Sequence, residues 1–460
     1  MTSLRDKSVL ILGLGETGLS LARWLGAQGM RLRVADSRAA APGIDVLRRE
    51  LPGTDVHCGP FDDALLQGID RIAISPGVPL ADPFVQRAIA RGIPVEGDVE
   101  LLAQLLSTRH YRRNTRVIAI TGANGKTTVT SMVGAMCAAA GLDTQVAGNI
   151  SPAVLDALRA RTRMPQVWVL ELSSFQLETT HTLNADAATV LNVSEDHLDR
   201  YAGSMDAYAA AKARVFQGQG VQVLNRDDAR SMAMALEGRK QASFGLSLPR
   251  SAHDWGISRE GALIWLMQGP QKIMRADELQ VSGLHNVANA LAALALCRAL
   301  ELPLAPLVRA LRAFGGLPHR VEKVAEVGGV TYYDDSKGTN VGATEAALNG
   351  LGKPAVVILG GDGKGQDFSP LRDAVARHAR AVVLIGRDAP LIGRALSGCG
   401  KPVVQAQDME HAVRLAGGLA QPGDAVLLSP ACASFDMFRN YVHRAEAFVQ
   451  AVHKLAEVTA

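Results

Sequence analysis

The run Val117-Ile118-Ala119-Ile120-Thr121-Gly122-Ala123-Asn124-Gly125-Lys126-Thr127-Thr128 holds the residue types best suited to chemistry. A short apolar strand ends in a glycine turn, and a lysine and two threonines open a helix. Backbone N–H groups of such a turn, with the positive end of the helix, form a cradle for phosphate. Lys126 can reach the terminal phosphates of a nucleoside triphosphate, and the Thr127 hydroxyl can ligate Mg²⁺. A full P-loop would have glycine at position 120, where this chain has Ile120, so the loop is a shortened variant. A turn that served packing alone would not need a lysine followed by two hydroxyls. ATP or GTP binding is the expectation.

Other strand ends carry further candidates. Gly13-Leu14-Gly15-Glu16-Thr17-Gly18 follows Val9–Leu12 and precedes a helix, and Asp36 closes the next strand. On pattern this is a dinucleotide fingerprint, but the same turn suits any nucleoside diphosphate, or packs a helix. Ser75-Pro76-Gly77 could add backbone donors to the same ligand. Glu171 ends the apolar strand Val167–Leu170, where a carboxylate is costly unless paired or bound to metal. A Mg²⁺ ligand and a helix cap are both open for it. His197 lies among Asp196, Asp199 and Arg200 after another strand, a better setting for a site than a lone histidine would be. Lys212 reads simply as a surface lysine on the helix Tyr208–Val215. Asn286 and Asn289, three apart on one helix face, could bond a base or cap the helix. Asp334–Asn340, Gly360–Gly365 and Ser429–Ser434 each follow a strand, and between them they carry cations and small donors. Each alone is ordinary turn chemistry; together they suit a small carboxylate.

These groups need elements that hold them. Short β-branched runs alternate with Ala/Leu-rich helical stretches, the mark of βαβ units. Three strands, Val9–Leu12, Val117–Ile120 and Ala355–Leu359, run into glycine turns. Each can start a doubly wound sheet with ligands at the strands' C-terminal ends. The fold class is therefore α/β with three doubly wound domains: Rossmann-like at both ends and P-loop-like in the centre. The expected divisions are residues 1–98, 99–316 and 317–460, the last after the turn-rich Phe314–Pro318. Residues 214–280 have weak periodicity and no clear reading.

Composition narrows the function classes. The chain has 460 residues, 48 Lys and Arg against 45 Asp and Glu, and no long basic run, which argues against a nucleic-acid partner. Its five cysteines lie far apart with no Cys-x-x-Cys pair, so neither zinc nor a disulfide framework is expected. The apolar stretch near the N-terminus is too short for a signal peptide, and no run approaches the roughly 18 apolar residues of a membrane span. A cytoplasmic location is expected.

In combination, Thr121–Thr128, Glu171-Leu-Ser-Ser-Phe-Gln-Leu, Asp196-His197-Leu-Asp199-Arg200, Gly283-Leu-His285-Asn286 and Asp335-Ser336-Lys337 resemble, in this order, the Mur ligases of peptidoglycan synthesis. More distantly they resemble folylpolyglutamate synthetase. Gly148-Asn149-Ile150, Gly-Gly-Asp-Gly-Lys364 and Ser-Pro-Ala-Cys-Ala-Ser434 point to the branch of the family that adds D-glutamate, and the likeness spans about residues 8 to 450. The resemblance implies ATP-dependent joining of D-glutamate to UDP-N-acetylmuramoyl-L-alanine through an acyl phosphate, by a protein expected to be a monomer. It implies that Gly13, Leu14, Gly15, Glu16, Thr17, Asp36, Arg38, Ser75, Pro76 and Gly77 hold the UDP-sugar. Gly122, Ala123, Asn124, Gly125, Lys126, Thr127 and Thr128 would hold the ATP phosphates. Asn286 and Asn289 would lie at adenine, with Arg320, Asp335 and Lys337 at ribose and phosphates. Thr127 and Glu171 would ligate two Mg²⁺ ions, with His197 close by, and Asn149 would face the acyl phosphate. Lys212 matches the lysine that the family carbamylates, which would turn an ammonium into an oxygen donor for Mg²⁺. Thr339, Lys364, Ser434, Phe435 and Tyr441 would surround glutamate.

The sequence departs from the family at Ser151, where glycine is common, and at Phe435 and Tyr441, where Leu and Phe are expected. L-glutamate, or another amino acid, stays open as the second substrate. Two readings from other classes also stay open: a NAD(P)-dependent dehydrogenase using the first glycine turn, and a P-loop switch without a small substrate.

Overall fold

The computed structural model describes residues 6–459. Near the N-terminus, β1 (Ser8–Leu12), β2 (Arg31–Asp36), β3 (Asp55–Cys58), β4 (Arg71–Ile74) and β5 (Val95–Glu96) form a parallel sheet in the order β3-β2-β1-β4-β5. The order reverses beside β1, so the turn after β1 lies at the crevice where such sheets take ligands. The last strand begins only at Val95. Pro94 has no N–H to give, and only its carbonyl enters the ladder, accepting from Ile72 at 2.8 Å.

Next come β6 (Arg116–Thr121), β7 (Thr144–Gly148), β8 (Val167–Glu171), β9 (Ala187–Val190), β10 (Val221–Asn225) and β11 (Gln241–Phe244), all parallel in the order β11-β10-β9-β6-β8-β7. Val117–Thr121 and the whole of β8 are buried, as expected of strands covered on both faces. The helices Lys126–Ala139 and Leu284–Ala299 pack together on one face; the second is so rich in alanine that the two can approach closely. Within the stretch that had no clear reading, β12 (Trp255–Glu260), β13 (Leu263–Gln268) and β14 (Gln271–Arg275) make a small antiparallel sheet, an addition to the doubly wound plan.

Toward the C-terminus, β15 (Glu322–Val327), β16 (Val330–Asp334), β17 (Ala355–Gly360), β18 (Ala379–Ile385), β19 (Val403–Gln405) and β20 (Ala425–Leu428) form a third sheet, β15-β16-β20-β17-β18-β19. Only the edge strand β15 runs antiparallel to its neighbour.

The three sheets are joined unequally. One apolar cluster runs from Val9, Leu21 and Trp24 of the first sheet's layer to Ala119, Trp168 and Leu170 of the second. The apolar clusters around the third sheet begin at residue 321 and include nothing from the other two. Its described hydrogen bonds to the P-loop and the Asp196 loop are Arg320 to Thr127 at 2.7 Å, Asn340 to Asn124 at 3.0 Å and Lys364 to Asp196 at 3.4 Å, and its helix Val341–Gly350 also packs against Leu284–Ala299.

Candidate active site

A cleft of about 940 Å³ lies between the second and third sheets, at the C-terminal end of β6. The P-loop forms one wall. Gly125 takes a left-handed conformation, φ +80°, to start the helix, which suits a residue without a Cβ. Asn192 holds the loop from below: its Oδ1 accepts from the Asn124 N–H at 2.8 Å, and its Nδ2 donates to the Asn124 carbonyl at 3.1 Å. The Lys126 ammonium folds back onto the carbonyls of Gly122 and Ala123, at 2.9 and 2.8 Å. Burial pushes its pKa down, and a phosphate in the cradle would supply the missing counter-charge.

Glu171 ends β8 beside the loop. Its Oε1 accepts from Asn149 Nδ2 at 2.9 Å, while Oε2 is buried without a partner. An orphaned carboxylate oxygen in a cleft shared with the Thr127 hydroxyl fits a hard divalent cation. His197 stands on the same cleft in a left-handed conformation, φ +54°. Its ring meets Phe175 edge-on at 5.2 Å, with Nε2 3.5 Å from Asp196. Burial pushes its pKa down, which favours the neutral imidazole that a metal can use.

Lys212 is not the surface lysine of the simple reading. It is 1% exposed, donates to the Gly122 carbonyl at 2.8 Å and lies 4.4 Å from the Tyr208 ring centre. Burial, with Lys126 nearby, holds its pKa well below the usual lysine value. Lys212 is not among the residues lining the cleft; its ammonium meets the P-loop at the Gly122 carbonyl.

The opposite wall belongs to the third sheet's domain. Arg320 donates to Thr127 Oγ1. Asp335 accepts from Ser429 at 2.7 Å, and burial raises its pKa to about 7. Burial first, then the charge of Arg320, lowers Lys337 to about 8, and its ammonium lies 3.9 Å from the centre of the Tyr441 ring. Asn286 and Asn289 line the cleft and bond each other at 3.2 Å. Thr339 and Tyr441 also line it. Lys364 reaches the rim by its contact with Asp196, Ser434 is buried away from the cleft, and the Phe435 side chain, 74% exposed, faces solvent.

The UDP-sugar candidates gather at the first sheet instead. The buried Asp36 carboxylate accepts from the Leu14 N–H at 2.7 Å and pairs with Arg38, whose hydrogen bonds lower its pKa to about 2. Asp36 thus holds the turn itself. Ser75 packs behind Gly13, while Gly15 and Gly77 face open space. The Pro76 carbonyl accepts from Arg200 at 3.2 Å, and Glu16 accepts from Ser151 at 2.8 Å, so contacts from the second sheet's loops brace this site. Ser151 also lines the cleft, so the two sites meet there.

Asn192, Asp196 and Asn340 lie in stretches that the sequence singles out, but no pattern there assigns them their bracing contacts. Asn340 caps the helix Val341–Gly350 through the Ala343 N–H, an Asn-x-x pattern that reads as a cap and hides the cross-domain bond to Asn124.

The cleft thus gathers Lys126, Arg320 and Lys337 around a phosphate cradle, with an unpartnered carboxylate oxygen alongside. That set can neutralise a polyphosphate and a divalent cation. Comparison with known proteins gives three family matches: "Mur ligase MurD-like, N-terminal domain" at residues 7–97, "Mur ligase middle domain" at 120–297 and "Mur ligase, glutamate ligase domain" at 319–432. The chain is 59% identical over 458 residues to a UDP-N-acetylmuramoylalanine–D-glutamate ligase of Nitrosospira multiformis, covering 98% of this chain and 96% of that one. It is 56% identical to the protein of that name from Aromatoleum aromaticum, over the full length of both. Among solved structures it is similar in fold to the UDP-N-acetylmuramate-alanine ligase MurC of Thermotoga maritima, with a TM-score of 0.60, 19% identity and coverage of 97% and 99% of the two chains.

Proposed function

This chain belongs to the Mur ligase family, and from that premise we propose that its cleft joins D-glutamate to UDP-N-acetylmuramoyl-L-alanine at the expense of ATP. The observation that carries the reading is the convergence of Lys126, Arg320 and Lys337 on the P-loop beside the orphaned Glu171 oxygen.

A carboxylate and an amine do not condense unaided in water. The L-alanyl carboxylate attacks the γ-phosphorus of ATP, the bond to the β–γ bridging oxygen breaks, and ADP and an acyl phosphate result. The amine of glutamate then adds to the acyl carbon. The tetrahedral intermediate expels phosphate, and the amine loses its proton. Positioning and charge neutralisation supply most of the rate. Lys126, Arg320 and Lys337 face the phosphates, and the Gly122–Thr128 amides hold them in line. Mg²⁺, when bound, neutralises phosphate charge and orients the transferred group. Thr127, Glu171 and His197 would hold it, with Lys212 as its carbamate. The depressed pKa of Lys212 supports that modification, because only the free amine attacks CO₂. Asn149 steadies Glu171 and faces the reacting carbonyl. Asn286 and Asn289 would take adenine.

Gly13–Thr17, Asp36 with Arg38, and Ser75–Gly77 would bind the UDP-sugar. The open space at Gly15 and Gly77 supports backbone approach to a diphosphate there. Thr339, Lys364, Ser434, Phe435 and Tyr441 are assigned to glutamate, with Phe435 swinging in from solvent. The divisions 1–98, 99–316 and 317–460 would separate the sugar, ATP and amino-acid duties. The enzyme would act in the cytoplasm as a monomer.

The test is phosphate release from ATP with UDP-N-acetylmuramoyl-L-alanine and D-glutamate, L-glutamate or diaminopimelate. Release should need both the nucleotide-sugar and D-glutamate. Equal release with L-glutamate would overturn the assignment of the amino acid, and release without any amino acid would favour a bare ATPase.

A further inference from the structure

A second cavity, of about 640 Å³, lies away from the cleft, where the helix Glu16–Ala27 meets the segment 105–115 and the loop before β8. Ligand pockets typically run from about 300 to 1,000 Å³, so it can admit a small organic molecule. Its wall is aromatic and apolar around Trp24, Tyr111 and Met164, and the Tyr111 ring carries His110 edge-on at 4.8 Å. Thr115 lines it at 8% exposure, and its Oγ1 is buried without a hydrogen-bond partner. A buried hydroxyl left unpartnered is costly, and a polar atom of an occupant would relieve it.

The charge is one-sided. The cavity's lining includes His110, Arg161 and Arg163 and no carboxylate. The segment 107–116 beside it has four arginines and one histidine and no acid. Asp143 stands behind the rim and is engaged by Arg161; Arg163 lies 3.5 Å from it and keeps 81% of its side chain exposed. Nothing in the ligase reading uses these groups.

We propose that this cavity is a binding site for a planar aromatic anion, its ring against Trp24 and Tyr111, its acidic group at Arg163 and His110, and a polar ring atom at the Thr115 hydroxyl. A nucleoside monophosphate and an aromatic carboxylate share that chemistry. Aromatic faces take the ring, and the cations at the mouth take the charge.

The test uses the full chain with ADP, Mg²⁺ and UDP at saturation, so that the cleft and the first-sheet turn are filled. The probe is 8-anilinonaphthalene-1-sulfonate, followed by fluorescence. Binding at one site should persist under those conditions and weaken by about tenfold or more in both Tyr111→Ala and Arg163→Glu, which is more than about 1.4 kcal/mol. Basal phosphate release should stay unchanged in Arg163→Glu, whose side chain is exposed. Thr115→Val should fold normally and weaken the natural class of competitor. Displacement of the probe by AMP assigns a nucleotide, and displacement by indole-3-carboxylate assigns an aromatic acid. The proposal is overturned if Arg163→Glu leaves probe binding unchanged, or if neither competitor displaces the probe.

Discussion

Lys337 and Lys212 are both buried lysines with lowered pKa values, and the same physics prepares them for opposite tasks. On the proposed reading, Lys337 must carry charge to meet phosphate. A base whose folded pKa is depressed to about 8 is protonated below that pH and loses its charge above it. The free enzyme's kcat/KM for ATP should therefore fall as pH rises through about 8. Lys337→Arg should remove that alkaline limb while lowering the plateau, because guanidinium stays charged. An unchanged limb in the pH–rate profile would acquit Lys337. Lys212, by contrast, must lose its proton to react with CO₂. Its amine lies 2.8 Å from the Gly122 carbonyl, and burial, with Lys126 nearby, opposes its charge and so favours the free amine. Activity should drop in CO₂-depleted buffer and recover with bicarbonate, and intact-protein mass spectrometry under mild conditions should show the added CO₂. Full activity without CO₂, on an unmodified lysine, would rule the carbamate out.

At the scale of the element, the site depends on how closely β7 can pass β8. Gly148, at φ +124°, sits where an added Cβ would lie 2.1 Å from the Glu171 carbonyl oxygen. Gly148→Ala must push β7 off β8, and with it Asn149, whose N–H donates to that carbonyl at 2.8 Å and whose side chain steadies the carboxylate. A loss of about 1–3 kcal/mol in stability is expected, with a larger proportional loss in kcat. Urea denaturation and steady-state assays will separate the two, and wild-type values would contradict the packing described. The P-loop strand and helix were legible in the sequence because phosphate binding demands a fixed order of glycine, lysine and hydroxyl. Residues 255–275 were not. Their three short strands mix exposed charges such as Arg259, Glu260 and Lys272 into the alternation, and a bulge at Leu266/Met267 breaks its register. Lys212 was equally hidden, because its helix lies in a run of alanines whose periodicity does not say which face is buried. The brace Asn124–Asn192–Asn340 joins positions 68 and 216 residues apart, a distance that no local pattern spans.

For the whole molecule, the decisive contrast is between an apolar joint and a polar one. The first two sheets share a continuous core, so separating them would expose buried apolar surface to water. The third domain keeps its apolar clusters to itself and meets the P-loop through Arg320, Asn340 and Lys364. Polar contacts exchange readily with water, so these links can break at small net cost, although the helix Val341–Gly350 also packs on Leu284–Ala299, where Gly350 meets His285. On the proposed reading, opening would admit the nucleotide, and closing would bring Arg320 and Lys337 onto it and exclude solvent. Arg320 carries the consequence, because it belongs to the closed state and to no part of the UDP-sugar site. Arg320→Ala should lower kcat by about a hundredfold, as loss of a single preorganised cation at a developing charge does elsewhere. The KM for UDP-N-acetylmuramoyl-L-alanine should stay within about twofold, since the proposed site for that ligand lies at the first sheet, away from Arg320. Small-angle scattering should show the variant less compact than the wild type when ATP, Mg²⁺ and the sugar nucleotide are all present. If the variant compacts normally yet loses activity, Arg320 acts only on charge; if it keeps its activity, the polar joint is not what assembles the site.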